Sequence, residues 1–121
     1  MIRRDVSLYV LLWAYLDEIW SGNVANLFAA DAFAGKTVLV TGATSGIGEG
    51  TAKAFAAHGA AVMLSGRNQE RGAAVLEEIR AGGGAAELII GDVAEASFCE
   101  HLIGETVERL GRLDILFNNA G

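Results

Sequence analysis

Residues 37–50 read Thr-Val-Leu-Val-Thr-Gly-Ala-Thr-Ser-Gly-Ile-Gly-Glu-Gly, an apolar run that stops at glycines and small hydroxyl residues. Val38, Leu39 and Val40 are bounded by threonines, which suits a strand buried on both faces, as in a parallel sheet. Gly42, Gly46 and Gly48 let the backbone turn tightly and approach a ligand with no Cβ in the way. From Ile47 to His58 the composition is helical, so the glycines fall between a strand and a helix N-terminus. Unpaired amides and the helix dipole favour an anion there. An ordinary glycine-rich turn without a ligand is the plain alternative, and the strand, turn and helix order weighs against it.

Beyond this turn the chain alternates short apolar runs with helical stretches. The first helix carries Ala52, Phe55 and Ala56 on one face and ends at His58-Gly59. A second strand follows at Ala61–Ser65, then Gly66-Arg67-Asn68, with Asn68 placed to cap a helix running through Ala81. Ala74, Val75, Leu76 and Ile79 form that helix's apolar stripe, and Gly82-Gly83-Gly84 breaks it. A third strand, Glu87–Gly91, stops at Asp92-Val93. A third helix, from about Ala96 to Leu110, has Phe98, Leu102, Ile103, Val107 and Leu110 spaced mostly three to four apart, and a fourth strand covers Leu113–Phe117 before Asn118-Asn119-Ala120-Gly121. Strands separated by helices of about ten to fifteen residues predict βαβ units and an α/β fold, a doubly wound parallel sheet. The expected strand order is 3-2-1-4, with ligands at the carboxyl ends where the order reverses. Gly42, Gly66, Asp92 and Asn118 all mark such ends.

At 121 residues the chain holds one domain at most, and 52% hydrophobic with 20% charged residues is a globular composition. A net charge of −6 with scattered basic residues argues against nucleic acid as a partner. The single cysteine, Cys99, excludes an internal disulfide and fits a reducing cytoplasm. With no Cys or His cluster around it, metal binding is not expected.

Residues 1–32 have a different texture. Ser7–Leu16 is almost wholly apolar, but at about half the length a membrane span needs it is not expected to cross a bilayer. The small-residue triplet Ala32-Phe33-Ala34 lies too far from the apolar run for a signal-peptide cleavage site, which disfavours export. The remaining reading is an added amphipathic helix, with Leu8, Leu12, Tyr15, Leu16 and Ile19 at helical spacing and Ser21-Gly22-Asn23 ending it. Through residues 6–20 it would pack on this domain, a second copy, another protein or a membrane surface. Oligomeric state is open. The expected division is an N-terminal extension and linker at 1–32 and a nucleotide-binding domain at 33–121.

Thr41-Gly42-Ala43-Thr44-Ser45-Gly46-Ile47-Gly48, Asp92-Val93 and Asn118-Asn119-Ala120-Gly121 together resemble the nucleotide-binding half of the short-chain dehydrogenase/reductase family. The resemblance covers residues 33–121 and implies a Rossmann-type fold that binds NAD(P). It implies that Gly42, Gly46 and Gly48 surround the pyrophosphate, with Ser45 and Ile47 lining the same loop. Asp92 and Val93 would flank the adenine. Asn118, Ala120 and Gly121 would close the adenosine side, unless the two asparagines only bond the sheet end.

The end of the second strand bears on the choice of cofactor. A carboxylate there accepts hydrogen bonds from a ribose 2′-hydroxyl and repels a 2′-phosphate. This chain has Gly66, followed by Arg67, whose guanidinium would hold a phosphate by two parallel hydrogen bonds. Against that, Arg67 would pair with Glu70 on the surface, and Thr44 and Ser45 stand where many NADP-dependent relatives have a basic residue. NADP is favoured over NAD. The family's catalytic Ser and Tyr-x-x-x-Lys have no counterpart here, because neither Tyr9 nor Tyr15 has a lysine four residues later. No catalytic residue is therefore assigned. Two readings follow: the amino-terminal portion of an NADP-dependent oxidoreductase acting on alcohols or carbonyls, or a non-catalytic nucleotide-binding module or inactive fragment held to a partner by its N-terminal helix. The stop directly after the last family motif favours the first.

Overall fold

The computed structural model describes residues 31–119. The helix expected within residues 6–20, its Ser21-Gly22-Asn23 terminus, and the site residues Ala120 and Gly121 lie outside the described residues. Within them the order is β1 (Thr37–Thr41), α1 (Gly46–Ala57), β2 (Ala61–Gly66), α2 (Gln69–Ala81), β3 (Ala85–Ile90), α3 (Ala96–Leu110) and β4 (Ile115–Asn118). The strands form one parallel sheet in the order β3-β2-β1-β4, as the alternating pattern predicts.

The central strands are apolar on both faces because both faces are covered. Val38, Leu39, Val40, Val62, Met63 and Leu64 are all at most 1% exposed. Side chains alternate across a strand, so Val38, Val40, Val62 and Leu64 pack with Phe55 of α1 and with Val75 and Ile79 of α2. Leu39 and Met63 point the other way, into a cluster with Ile89 and Leu102 of α3. Burying each such side chain stabilises the fold by roughly 1.5–3 kcal/mol before the entropy of ordering it is subtracted.

Local chemistry sets the helix ends. Asn68 Oδ1 accepts from the Arg71 N–H at 2.9 Å, so the cap expected for α2 forms. Gly59 takes φ +95° just past α1, where a left-handed residue ends a helix. His58 is buried there, and its Nδ1 donates to the Ala54 carbonyl at 2.9 Å. The inward stripe of α2 is Gly72, Val75 and Ile79, and Ala74 is exposed.

Two departures from the periodic reading concern α3 and β4. On α3, Thr106 is wholly buried while Ile103 and Val107 are 38% and 45% exposed. Thr106 Oγ1 donates to the Leu102 carbonyl at 2.7 Å, so a polar residue sits inside with its donor satisfied. At β4, the strand starts at Ile115 because Asp114 is held otherwise. Its Oδ2 accepts from the Thr37 N–H at 2.9 Å and its own N–H donates to the Thr37 carbonyl at 3.0 Å.

Registers Thr41↔Ser65, Thr41↔Asn118 and Ser65↔Ile89 bring the carboxyl ends of the strands to one edge of the sheet. Among the described residues no helix is long and apolar enough to cross a membrane.

Candidate functional site

The site is built first by the turn between β1 and α1. Gly42 and Gly46 have φ values of +65° and +58°, a region that side-chain-bearing residues seldom adopt. Ser45 occupies the N-cap position, yet its side chain makes no capping hydrogen bond. The first amides of α1 thus point outward without a side-chain acceptor, the arrangement that suits an anion. Ser45, Gly46 and Ile47 are exposed on this turn, with Ile47 at 42%. Gly48 lies beneath it, buried, where a Cβ would drive into the Gly42 carbonyl and come within 2.8 Å of Asn119 Nδ2. Its geometry is that of a close-packing glycine under the loop.

The end of β4 braces the same turn. Thr41 Oγ1 donates to Asn118 Oδ1 at 2.8 Å and accepts from the Asn119 N–H at 3.0 Å. Asn119 Nδ2 donates to the Gly42 carbonyl at 3.4 Å. Both asparagines therefore make sheet-end hydrogen bonds. Asn118 also lines the cleft described below. Asn119 thus makes the sheet-end bonding considered for the two asparagines, and Thr41 is a structural member of the site that residue type alone did not single out.

The opposite wall follows β3. Gly91 N–H donates to the Gly66 carbonyl at 3.0 Å, holding the ends of β2 and β3 together. Asp92 Oδ1 accepts from the Ala94 N–H at 2.9 Å, an Asx turn that fixes the carboxylate. The Val93 carbonyl accepts from Cys99 Sγ at 3.0 Å.

Between these walls lies a cleft of about 780 Å³, lined by Gly42, Thr44, Ser45, Arg67, Asp92, Val93 and Asn118 among others. That volume falls within the roughly 300–1,000 Å³ usual for small-molecule and cofactor sites. Of the twelve residues the sequence singles out, these seven line the cleft, Gly46, Ile47 and Gly48 build the turn beside and beneath it, and Ala120 and Gly121 lie outside the described residues.

The charge at the rim is uneven. Lys53, Arg80, Arg109 and Arg112 each pair with a carboxylate within 4 Å. Arg67 and Arg71, both exposed and both lining the cleft, have no such partner among the described residues, and the surface pair of Arg67 with Glu70 does not form. Gly66, directly before Arg67, adds no acid. The rim at the end of β2 thus carries two guanidinium groups with no carboxylate within 4 Å among the described residues, in a chain of net charge −6. Arg71 is a further site residue whose sequence signal is its position four residues after Arg67, in the first turn of α2. Among the described residues no cluster of His, Cys, Asp or Glu is arranged to hold a metal ion.

Comparison with known proteins agrees with this geometry. A family model described as short chain dehydrogenase matches residues 36–121. An uncharacterized oxidoreductase of Thermotoga maritima is 49% identical over 89 residues, covering 74% of this chain and 35% of that protein. Glucose 1-dehydrogenase of Gluconobacter oxydans is 45% identical over 92 residues, covering 75% of this chain and 35% of its own length. The crystal structure of a dehydrogenase/reductase from Sinorhizobium meliloti superposes with a TM-score of 0.73 at 49% identity, over 76% of this chain and 37% of that one. A hydroxysteroid dehydrogenase from Escherichia coli gives 0.72 at 37% identity, over 74% of this chain and 38% of its own. The chain spans well under half the length of these relatives.

Proposed function

The chain belongs to the short-chain dehydrogenase family, and from that membership we propose that it holds NADP for an oxidoreductase that moves hydride between the cofactor and an alcohol or carbonyl substrate. The cofactor, when bound, supplies the hydride-carrying nicotinamide ring. This chain's own residues bind and orient it. The turn at Gly42 and Gly46 and the outward amides of α1 receive the pyrophosphate, with Thr44, Ser45 and Ile47 alongside and Gly48 packed beneath. Asp92 and Val93 flank the adenine, and Asn118, Ala120 and Gly121 close the adenosine side.

The observation that carries NADP over NAD is Arg67 in the cleft without a carboxylate partner, next to a glycine where an acid would select NAD. Arg71 adds a second guanidinium to the same rim. Two such groups favour a 2′-phosphate and gain little from a 2′-hydroxyl. Calorimetric titration of the chain with NADPH and with NADH tests the reading. Tighter binding of NADPH is expected, and tighter binding of NADH would refute it.

A second reading, a nucleotide holder without chemistry of its own, is supported by one observation. No Tyr-x-x-x-Lys occurs in the 121 residues, so these residues carry no general acid of the family's kind. Reading the coding sequence past Gly121 separates the two readings, since the oxidoreductase needs a Tyr-x-x-x-Lys there and a pure holder does not.

A further inference from the structure

From the contact between Thr44 and Gly66 we infer that Thr44 is a specificity-determining residue. It closes position 66 to any side chain and so keeps out the acid that would convert the site to NAD; the inference rests on the NADP reading above.

Gly66 is not a glycine because of its backbone, which lies outside the left-handed region. Nor is it a glycine because β2 ends in an enclosed core, since the position is half-buried at the cleft. What a Cβ there would meet is Thr44. Its Cγ2 would stand at 2.6 Å, its Oγ1 at 3.2 Å and its Cβ at 3.4 Å. The first distance is well inside van der Waals contact.

Rotation of Thr44 eases this only in part, because the rotamer that empties the 2.6 Å position leaves the 3.2 Å one filled, still a tight contact. A threonine carries two heavy atoms on Cβ, and they fill two of its three staggered positions at all times. Two of those positions, now held by Cγ2 and Oγ1, face Gly66. Whichever rotamer Thr44 adopts, at least one facing position stays filled. A serine has a single heavy branch and can turn it to the third position. The closure therefore belongs to β-branching at residue 44, and the hydroxyl is not needed for it.

Thr44→Ser and Thr44→Val separate these two features. Gly66→Ala is placed in the parent, Thr44→Ser and Thr44→Val backgrounds, and thermal melting is followed without cofactor. In the parent and Thr44→Val chains it should lower the midpoint by roughly 5–10 °C, and in the Thr44→Ser chain by much less. Equal losses in all three backgrounds would overturn the closure. For specificity, Thr44→Ser with Gly66→Asp should bind NADH about tenfold more tightly than Gly66→Asp alone. Coupled melting with no gain in NADH affinity would overturn the specificity role and leave the steric contact standing. Failure of the parent chain to bind NADPH would instead overturn the NADP reading, a distinct result because the melting comparison needs no cofactor.

Discussion

The Thr41 hydroxyl donates to Asn118 Oδ1 at 2.8 Å and accepts from the Asn119 N–H at 3.0 Å, so one side chain at the end of β1 holds the end of β4 twice. Asn119 completes the brace by donating its side-chain amide to the Gly42 carbonyl. The glycine turn is thus fixed from β4 as well as from its own strand and helix.

Removing that hydroxyl should loosen the site from below. Thr41→Val preserves shape but leaves Asn118 Oδ1 and the Asn119 amide without their partner, at a cost of about 1–2 kcal/mol. Urea unfolding should show the loss, and Thr41→Ser should recover most of it. An unchanged midpoint for Thr41→Val would mean the two bonds contribute nothing net.

Gly48 faces a harder limit. Because a Cβ there runs into the backbone oxygen of Gly42, not the tip of a flexible side chain, Gly48→Ala must separate α1 from the turn. About 1–3 kcal/mol of overpacking is expected, with nucleotide affinity falling in parallel. Gly50, where a Cβ meets nothing within 4 Å, is the control, and Gly50→Ala should keep both stability and binding.

Arg67→Ala should weaken NADPH binding by about 10–100-fold, the range for losing one or two charge-assisted hydrogen bonds, while NADH binding changes little. Arg71→Ala should act in the same direction. Titration calorimetry of the two variants reads this directly, and equal losses for the two cofactors would remove the basis for assigning the 2′-phosphate to this rim.

Acid should release the clamp at the other end of β4. The hydrogen bond from Arg112, helped by the Thr37 N–H, holds the Asp114 carboxyl below the usual carboxylate range, although burial opposes the shift. A folded-state pKa below the unfolded one adds stability that is full above the ordinary aspartate value near about 4 and is lost as pH falls through the folded value. The effect is small, because Arg112 is largely exposed and the pair is screened by solvent. Asp114→Asn should therefore lower the melting temperature slightly at neutral pH, and the difference from the parent should disappear as pH falls below about 4, which flattens the acid limb. An equally steep acid limb in the variant would assign the acid sensitivity elsewhere.

Much of the fold is legible in residue order, because period and punctuation are local properties. The apolar runs at Val38–Val40 and Val62–Leu64 mark strands covered on both faces, Asn68 caps α2 as its type predicts, and the span of α3 agrees with its periodicity. The strand order follows from the crossovers those elements require.

Tertiary structure alone decided the rest, because it concerns atoms far apart in sequence. Helical spacing on its own turns Ile103 and Val107 inward, but packing against Leu39 and Met63 admits only part of the apolar face of α3 and takes Thr106 instead. Asn119 meets Gly42 across 77 residues, and no pattern in either segment predicts that bond. For Arg67 residue order left two places open, the cofactor site and a surface pair with Glu70, and the parallel register that brings the carboxyl ends of the strands together puts it in the cleft. The same holds for Gly66, whose missing side chain is explained by a threonine on the neighbouring loop. The sequence by itself determined the elements, their order and the class of ligand; which side chains meet at the edge of the sheet was decided by steric contact and hydrogen-bond geometry that exist only once the strands are paired.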